Sequence, residues 1–209
     1  MPPLSTTAPS SAHPVTEAPS VLILPGWLGS GPGHWQSRWQ ALYGDTLVEQ
    51  SDWQSPRRGD WIARLEDVVL AQPGAVALVA HSLGCHLVAA WAASSRHACR
   101  VTCALLVAPP DLQRTDLPAE LLPWQRPLFD QPLPFPAMVA ASGDDPFCDW
   151  PVAEQIALRW RADCIDLGPR GHVNSESGLG DWPAGRHLLN TLLQRNRHNP
   201  TPPLSLVAR

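Results

Sequence analysis

Val76-Ala77-Leu78-Val79-Ala80-His81-Ser82-Leu83-Gly84-Cys85-His86-Leu87-Val88-Ala89-Ala90-Trp91 changes its pattern halfway along. Val76 to Ala80 is an unbroken apolar run, as in a buried strand. From Leu83 to Ala93 the residues are apolar almost all round, as in a buried helix. Between the two there is room only for a sharp turn. A serine on such a turn is held clear of the strand end, and the N–H groups at the helix start face whatever approaches it. The residues two before and two after the serine must be small, because strand end and helix start nearly touch. Ala80 and Gly84 meet that need. The stretch is predicted to present Ser82 as a nucleophile at the carboxyl end of a buried strand.

The chain around it has 209 residues, 44% of them hydrophobic and 16% charged, which fits one globular domain with one good core. A net charge of −4 argues against a nucleic-acid partner or an anionic-membrane surface. All 15 basic residues are arginine, so Schiff-base and Walker-lysine chemistry are excluded. Five cysteines, an odd number with no Cys-x-x-Cys pair, speak against a disulfide framework or a zinc site. They favour a reducing compartment. The start of the chain lacks a signal-peptide pattern, and no apolar run approaches the roughly 20 residues of a membrane span. The expectation is a cytoplasmic protein: a disordered tail over 1–19, one domain over 20–195 and a second tail over 196–209.

Taken in order, the strands are expected at Val21–Leu24, Thr46–Val48, Val76–Ala80, Val101–Ala108, Ala137–Ala141 and Cys164–Leu167. Helices are expected at about His34–Tyr43, Asp60–Gln72, Leu83–Ala93, Trp150–Arg161 and Pro183–Gln194, Asp60 being a candidate cap. Such alternation predicts an α/β fold: a six-stranded, mainly parallel sheet with helices on both faces and ligands at the carboxyl ends of its strands. Asp111 to Pro136 breaks the rhythm. It is long and proline-rich, and long loops in compact domains are commonly functional.

A serine hydroxyl needs a base within hydrogen-bond reach, and the base an orienting acid. In doubly wound hydrolases they follow in the order serine, acid, histidine. Of the eight histidines, His172 alone lies in the glycine-flanked loop that directly follows the final strand; His187 falls within the last helix and His198 in the tail. His34 and His81 flank the site but come too early to be the base. For the acid, Asp145 before Pro146 is preferred, with Asp144 and Asp111 as alternatives. The oxyanion donors are expected to be the amides of Leu83 and Trp27, the latter in the glycine-rich loop after the first strand. That loop matches neither the dinucleotide nor the phosphate-loop spacing, and no cofactor or metal is expected. Several tryptophans fall at or near loops. Trp35, Trp124 and Trp150 are candidates to line the substrate site, with core packing as the alternative for each.

Leu24-Pro25-Gly26-Trp27 with His34-Trp35, His81-Ser82-Leu83-Gly84, Gly143-Asp144-Asp145-Pro146-Phe147 and Gly171-His172-Val173-Asn174 together resemble the YdeN-like family of small α/β-hydrolases, which includes retinoblastoma-binding protein nine. The resemblance spans about residues 21 to 193. It implies Ser82, Asp145 and His172 as nucleophile, acid and base, and a compact α/β-hydrolase without a large cap domain. Pro25, where many relatives have histidine, and the longer loop 111–136 depart from the pattern. The expected function is that of a carboxylesterase-like serine hydrolase acting on a small-molecule acyl substrate, an ester, thioester or amide. The rivals are an acyltransferase and a non-catalytic interaction module whose protein partner the sequence does not identify.

Overall fold

Strands buried on both faces must be covered on both faces, and the chain does this with helices. The computed structural model describes residues 18–198, the last three by backbone alone. The expected tails lie outside the described residues, apart from residues 18 and 19 and a helix end noted below. The six strands are β1 (Ser20–Leu24), β2 (Thr46–Leu47), β3 (Val76–His81), β4 (Val101–Val107), β5 (Ala137–Ala141) and β6 (Asp163–Asp166). They form one sheet in the order β2-β1-β3-β4-β5-β6, every neighbouring pair parallel.

The two-residue period of each strand sorts the core into two clusters. Leu22, Leu24, Leu78, Ala80, Leu106 and Val139 point to one face. There they meet α2 (Arg58–Ala71), α3 (Leu83–Ser94) and α5 (Trp150–Trp160) through Trp61, Leu65, Leu87, Trp91 and Trp160. Ile23, Ala77, Val79, Leu105 and Ala140 point to the other face. They meet Trp35 and Trp39 of α1 (Trp35–Tyr43) and Leu189 and Leu192 of the last helix, Pro183–His198.

Three expectations need correction. Asp60 does not cap α2, which starts at Arg58 and places Asp60 in its first turn. The last helix runs to His198, past the expected end at Gln194 and into the segment read as a tail. The loop 111–136 is not irregular throughout: a short turn over Ala119–Leu121 leads into α4 (Leu122–Gln125), because Leu121 and Trp124 find the core. Among the described residues, no helix is long and apolar enough to cross a membrane.

From β1 the chain steps outward to β2, returns past β1 to β3, and then moves steadily the other way. The order therefore reverses between β1 and β3, and the loops leaving those two strands diverge. That opens a crevice at the carboxyl edge, the place where such sheets bind ligands.

Candidate active site

Ser82 sits at that reversal. It follows β3 directly, precedes the first residue of α3, and adopts φ 54° and ψ −127°. Positive φ is unfavourable for a residue with a side chain, and it persists here because the surroundings leave no alternative. Gly84 allows α3 to start against the end of β1: a Cβ there would lie 2.4 Å from the Leu24 carbonyl oxygen. Gly26 plays the same part from the opposite side, since its Cβ would come 2.6 Å from the Cβ of Ser82.

His172 lies after β6, in a loop that reaches over the sheet edge. Its Nε2 is 2.8 Å from the Ser82 Oγ, and its Nδ1 is 2.9 and 3.0 Å from the two Asp145 carboxylate oxygens. A carboxylate only accepts, so the ring proton belongs on Nδ1, leaving Nε2 to accept from the serine hydroxyl. Asp145 is buried and also accepts from the Phe147 amide at 2.9 Å. Of the three candidate carboxylates it is the one against the imidazole. Asp144 instead staples the two loops together, accepting from the Ser142 hydroxyl and the Gly171 amide, each at 2.7 Å. These bonds hold its carboxyl below the usual range. Asp111 caps its own turn by accepting from the Gln113 amide.

The His172 loop is pinned from beneath. The His81 Nε2–H donates to the His172 carbonyl at 2.8 Å, and the Trp35 indole N–H donates to the next carbonyl, that of Val173, at 2.9 Å. His81 is kept neutral chiefly by burial, then by the fields of His34 and His172. His34 itself caps α1, its Nδ1 accepting from the Gln36 amide. The buried Gln36 side chain in turn donates to the carbonyls of Leu24 and Val79, tying the ends of β1 and β3 together across the crevice. The sequence reading missed Gln36, which carried no signal, and gave no role to His81 and Gly26, although it placed the first beside the serine and the second in the motif before Trp27.

Trp27 and Leu83 both line the cavity beside Ser82. Among the described residues neither backbone amide is engaged by a backbone carbonyl, whereas the neighbouring Leu28 and Gly29 amides are, donating to Trp53 and Gly26. The Trp27 indole N–H donates to the Gln54 carbonyl, which holds the loop. A cavity of about 370 Å³ opens at Ser82, lined also by Trp27, Leu28, Leu117, Leu121, Phe147 and His172.

The tryptophans expected in the substrate site are elsewhere. Trp35 is buried in the core, where its indole pins the base loop. Trp124 is buried against Trp61 and donates to the Pro56 carbonyl, anchoring the 111–136 segment from below. Trp150 packs against the core at the first residue of α5. In each case, covering the large indole from water outweighed presenting it to a ligand.

A serine at a strained strand–helix turn, hydrogen-bonded to a histidine after the last strand of a six-stranded parallel sheet, defines the class of α/β-hydrolase folds. Residues 21–191 match the serine hydrolase family model, and the chain belongs to that family. Comparison with curated proteins gives no match. Among solved structures, a YdeN-like hydrolase from Pectobacterium atrosepticum is similar at 24% identity and a TM-score of 0.74, over 84% of this chain and 91% of that one. The ydeN gene product of B. subtilis is similar at 19% and 0.67, over 84% and 99%. Est1E from Butyrivibrio proteoclasticus, in a structure with ferulic acid bound, is similar at 10% and 0.63, over 88% and 90%.

Proposed function

We propose that the protein hydrolyses a small carboxylic ester, thioester or amide through an acyl-enzyme on Ser82, with the ester as the favoured substrate. The observation that carries this reading is the unbroken line from the Ser82 hydroxyl through His172 to Asp145, beside two amides free to receive an oxyanion. Ser82 Oγ attacks the carbonyl carbon and its proton passes to His172 Nε2. The Trp27 and Leu83 N–H groups hold the oxyanion, a donor of this kind being worth on the order of 3 kcal/mol. The bond to the leaving group breaks, and that group takes the proton from His172. Water then loses a proton to His172 and attacks the acyl carbon, and Ser82 is released with its hydroxyl restored. Asp145 keeps the imidazole in the right tautomer and stabilises the imidazolium.

The test is labelling of the protein by a fluorophosphonate probe. Wild type should label, Ser82→Ala should not, and Asp145→Asn should label far more slowly and lose about four orders of magnitude in ester turnover. A wild-type protein that stays unlabelled excludes the reading.

A further inference from the structure

We infer that the acyl group this site accepts is neutral and apolar, and that the proline-rich segment 111–136 selects it; the inference rests on the serine hydrolase mechanism above. The leaving group must take its proton from His172, so it lies beside that imidazole, whose ring meets Phe147 at 4.6 Å. The acyl group then takes the remainder of the cavity, whose lining includes Leu117, Pro118 and Leu121. That wall is firmly held. Leu121 is buried and closes the turn begun at Pro118, and Leu117 packs against the core beneath.

The cavity's one arginine, Arg114, is already occupied. Its Nε and Nη2 form a two-pronged ion pair with the Asp116 carboxylate at 2.8 and 2.6 Å, and its Nη1 donates to the Pro146 carbonyl. This strap ties the segment to the loop that carries Asp145. It also leaves the cavity wall with no unpaired cation to greet a carboxylate. An anionic acyl group would meet no free cation among the described lining residues and would lose its own water against leucine and proline. Beside His172 the site is different. Beyond Phe147, 48% exposed with its ring edge-on to His172 at 4.6 Å, a second cleft of about 530 Å³ is lined by Arg170, Asn174 and Glu176. The leaving group therefore opens toward a polar surface and is less restricted than the acyl group.

The experiment compares kcat/KM for p-nitrophenyl esters: butyrate, pentanoate, octanoate and the anionic hemisuccinate. Wild type should prefer pentanoate to hemisuccinate by about tenfold or more. Asp116 is 62% exposed on its side chain, so Asp116→Asn can be made without disturbing the core. It should raise the hemisuccinate-to-pentanoate ratio about fivefold, the upper range for releasing such an exposed pair. Leu117→Ala should raise the octanoate-to-butyrate ratio about tenfold by deepening the wall. Ratios within one variant are insensitive to the fraction folded. Wild-type preference for hemisuccinate, or ratios that neither variant moves, overturns the inference. So does a protein whose Ser82 reacts with the fluorophosphonate probe while every ester in the series is inert, a result that leaves the hydrolase mechanism standing. An unlabelled Ser82 removes both.

Discussion

His81 shows how a residue that touches no substrate can hold a site together. The imidazole donates to the His172 carbonyl, sits edge-on to His34 at 4.7 Å, and lies 4.9 Å from the His172 ring. Its partner is the backbone of the residue whose side chain meets Ser82. Moving that backbone swings Nε2 off the hydroxyl, and proton transfer is sensitive to such shifts. His81→Phe keeps the ring volume and removes the donor. We expect kcat to fall about a hundredfold with KM nearly unchanged, and His81→Gln to recover part of the loss through its amide N–H. A rise in KM with unchanged kcat would mean that His81 shapes the pocket instead.

At the scale of elements, the junction of β1, β3 and α3 is packed backbone against backbone. Gly84 lets the first turn of α3 lie against the Leu24 and Pro25 carbonyls. Both are backbone atoms in the middle of the fold and cannot rotate away. Gly84→Ala would ordinarily favour a helix by about 1 kcal/mol. Here it should cost about 3 kcal/mol or more through overpacking. Urea unfolding measures the balance, and a variant as stable as wild type would show that β1 and α3 have slack. The loops at the same edge are locked differently, by side chains on backbone: Trp35 on Val173, Trp124 on Pro56 and Arg114 on Pro146. Each joins segments far apart in the chain, so none could be paired from local pattern.

For the whole molecule, buried histidines set the acid limit of stability. Burial lowers His34 and His86 to about 4, His34 with help from the nearby His172. Burial also lowers His81 well below its usual value. The unfolded chain takes up these protons near pH 6.5, while the folded protein refuses them until about pH 4. Between those values the unfolded state binds more protons, so stability falls as the pH falls. His86 alone, whose Nε2–H donates to the Pro110 carbonyl at 2.8 Å, should account for on the order of 3 kcal/mol across that window. The urea midpoint should be level above pH 7 and drop steadily from pH 6.5 to 4. His86→Gln, which keeps a donor for Pro110, should make the drop shallower. Equal midpoints at pH 7 and pH 5 would contradict the account.

The strands and helices, the parallel sheet that their alternation implies, and the serine turn were determined by the sequence itself. They rest on local period and on the small residues at 80 and 84, and both act within one or two turns of chain. The choice of Asp145 over Asp144 at His172 was decided by the tertiary structure, because two adjacent carboxylates differ only in what the fold brings to them. The places of Trp35, Trp124 and Trp150 were decided there too. An indole reads alike in the sequence whether it faces a cavity or a core, and only the packed molecule settles which surface it covers. The strap from Arg114 to Pro146, the hold of His81 on His172 and the apolar wall over Ser82 belong to the same class. Each is a contact between distant segments, and its physical basis is the close packing of the folded chain.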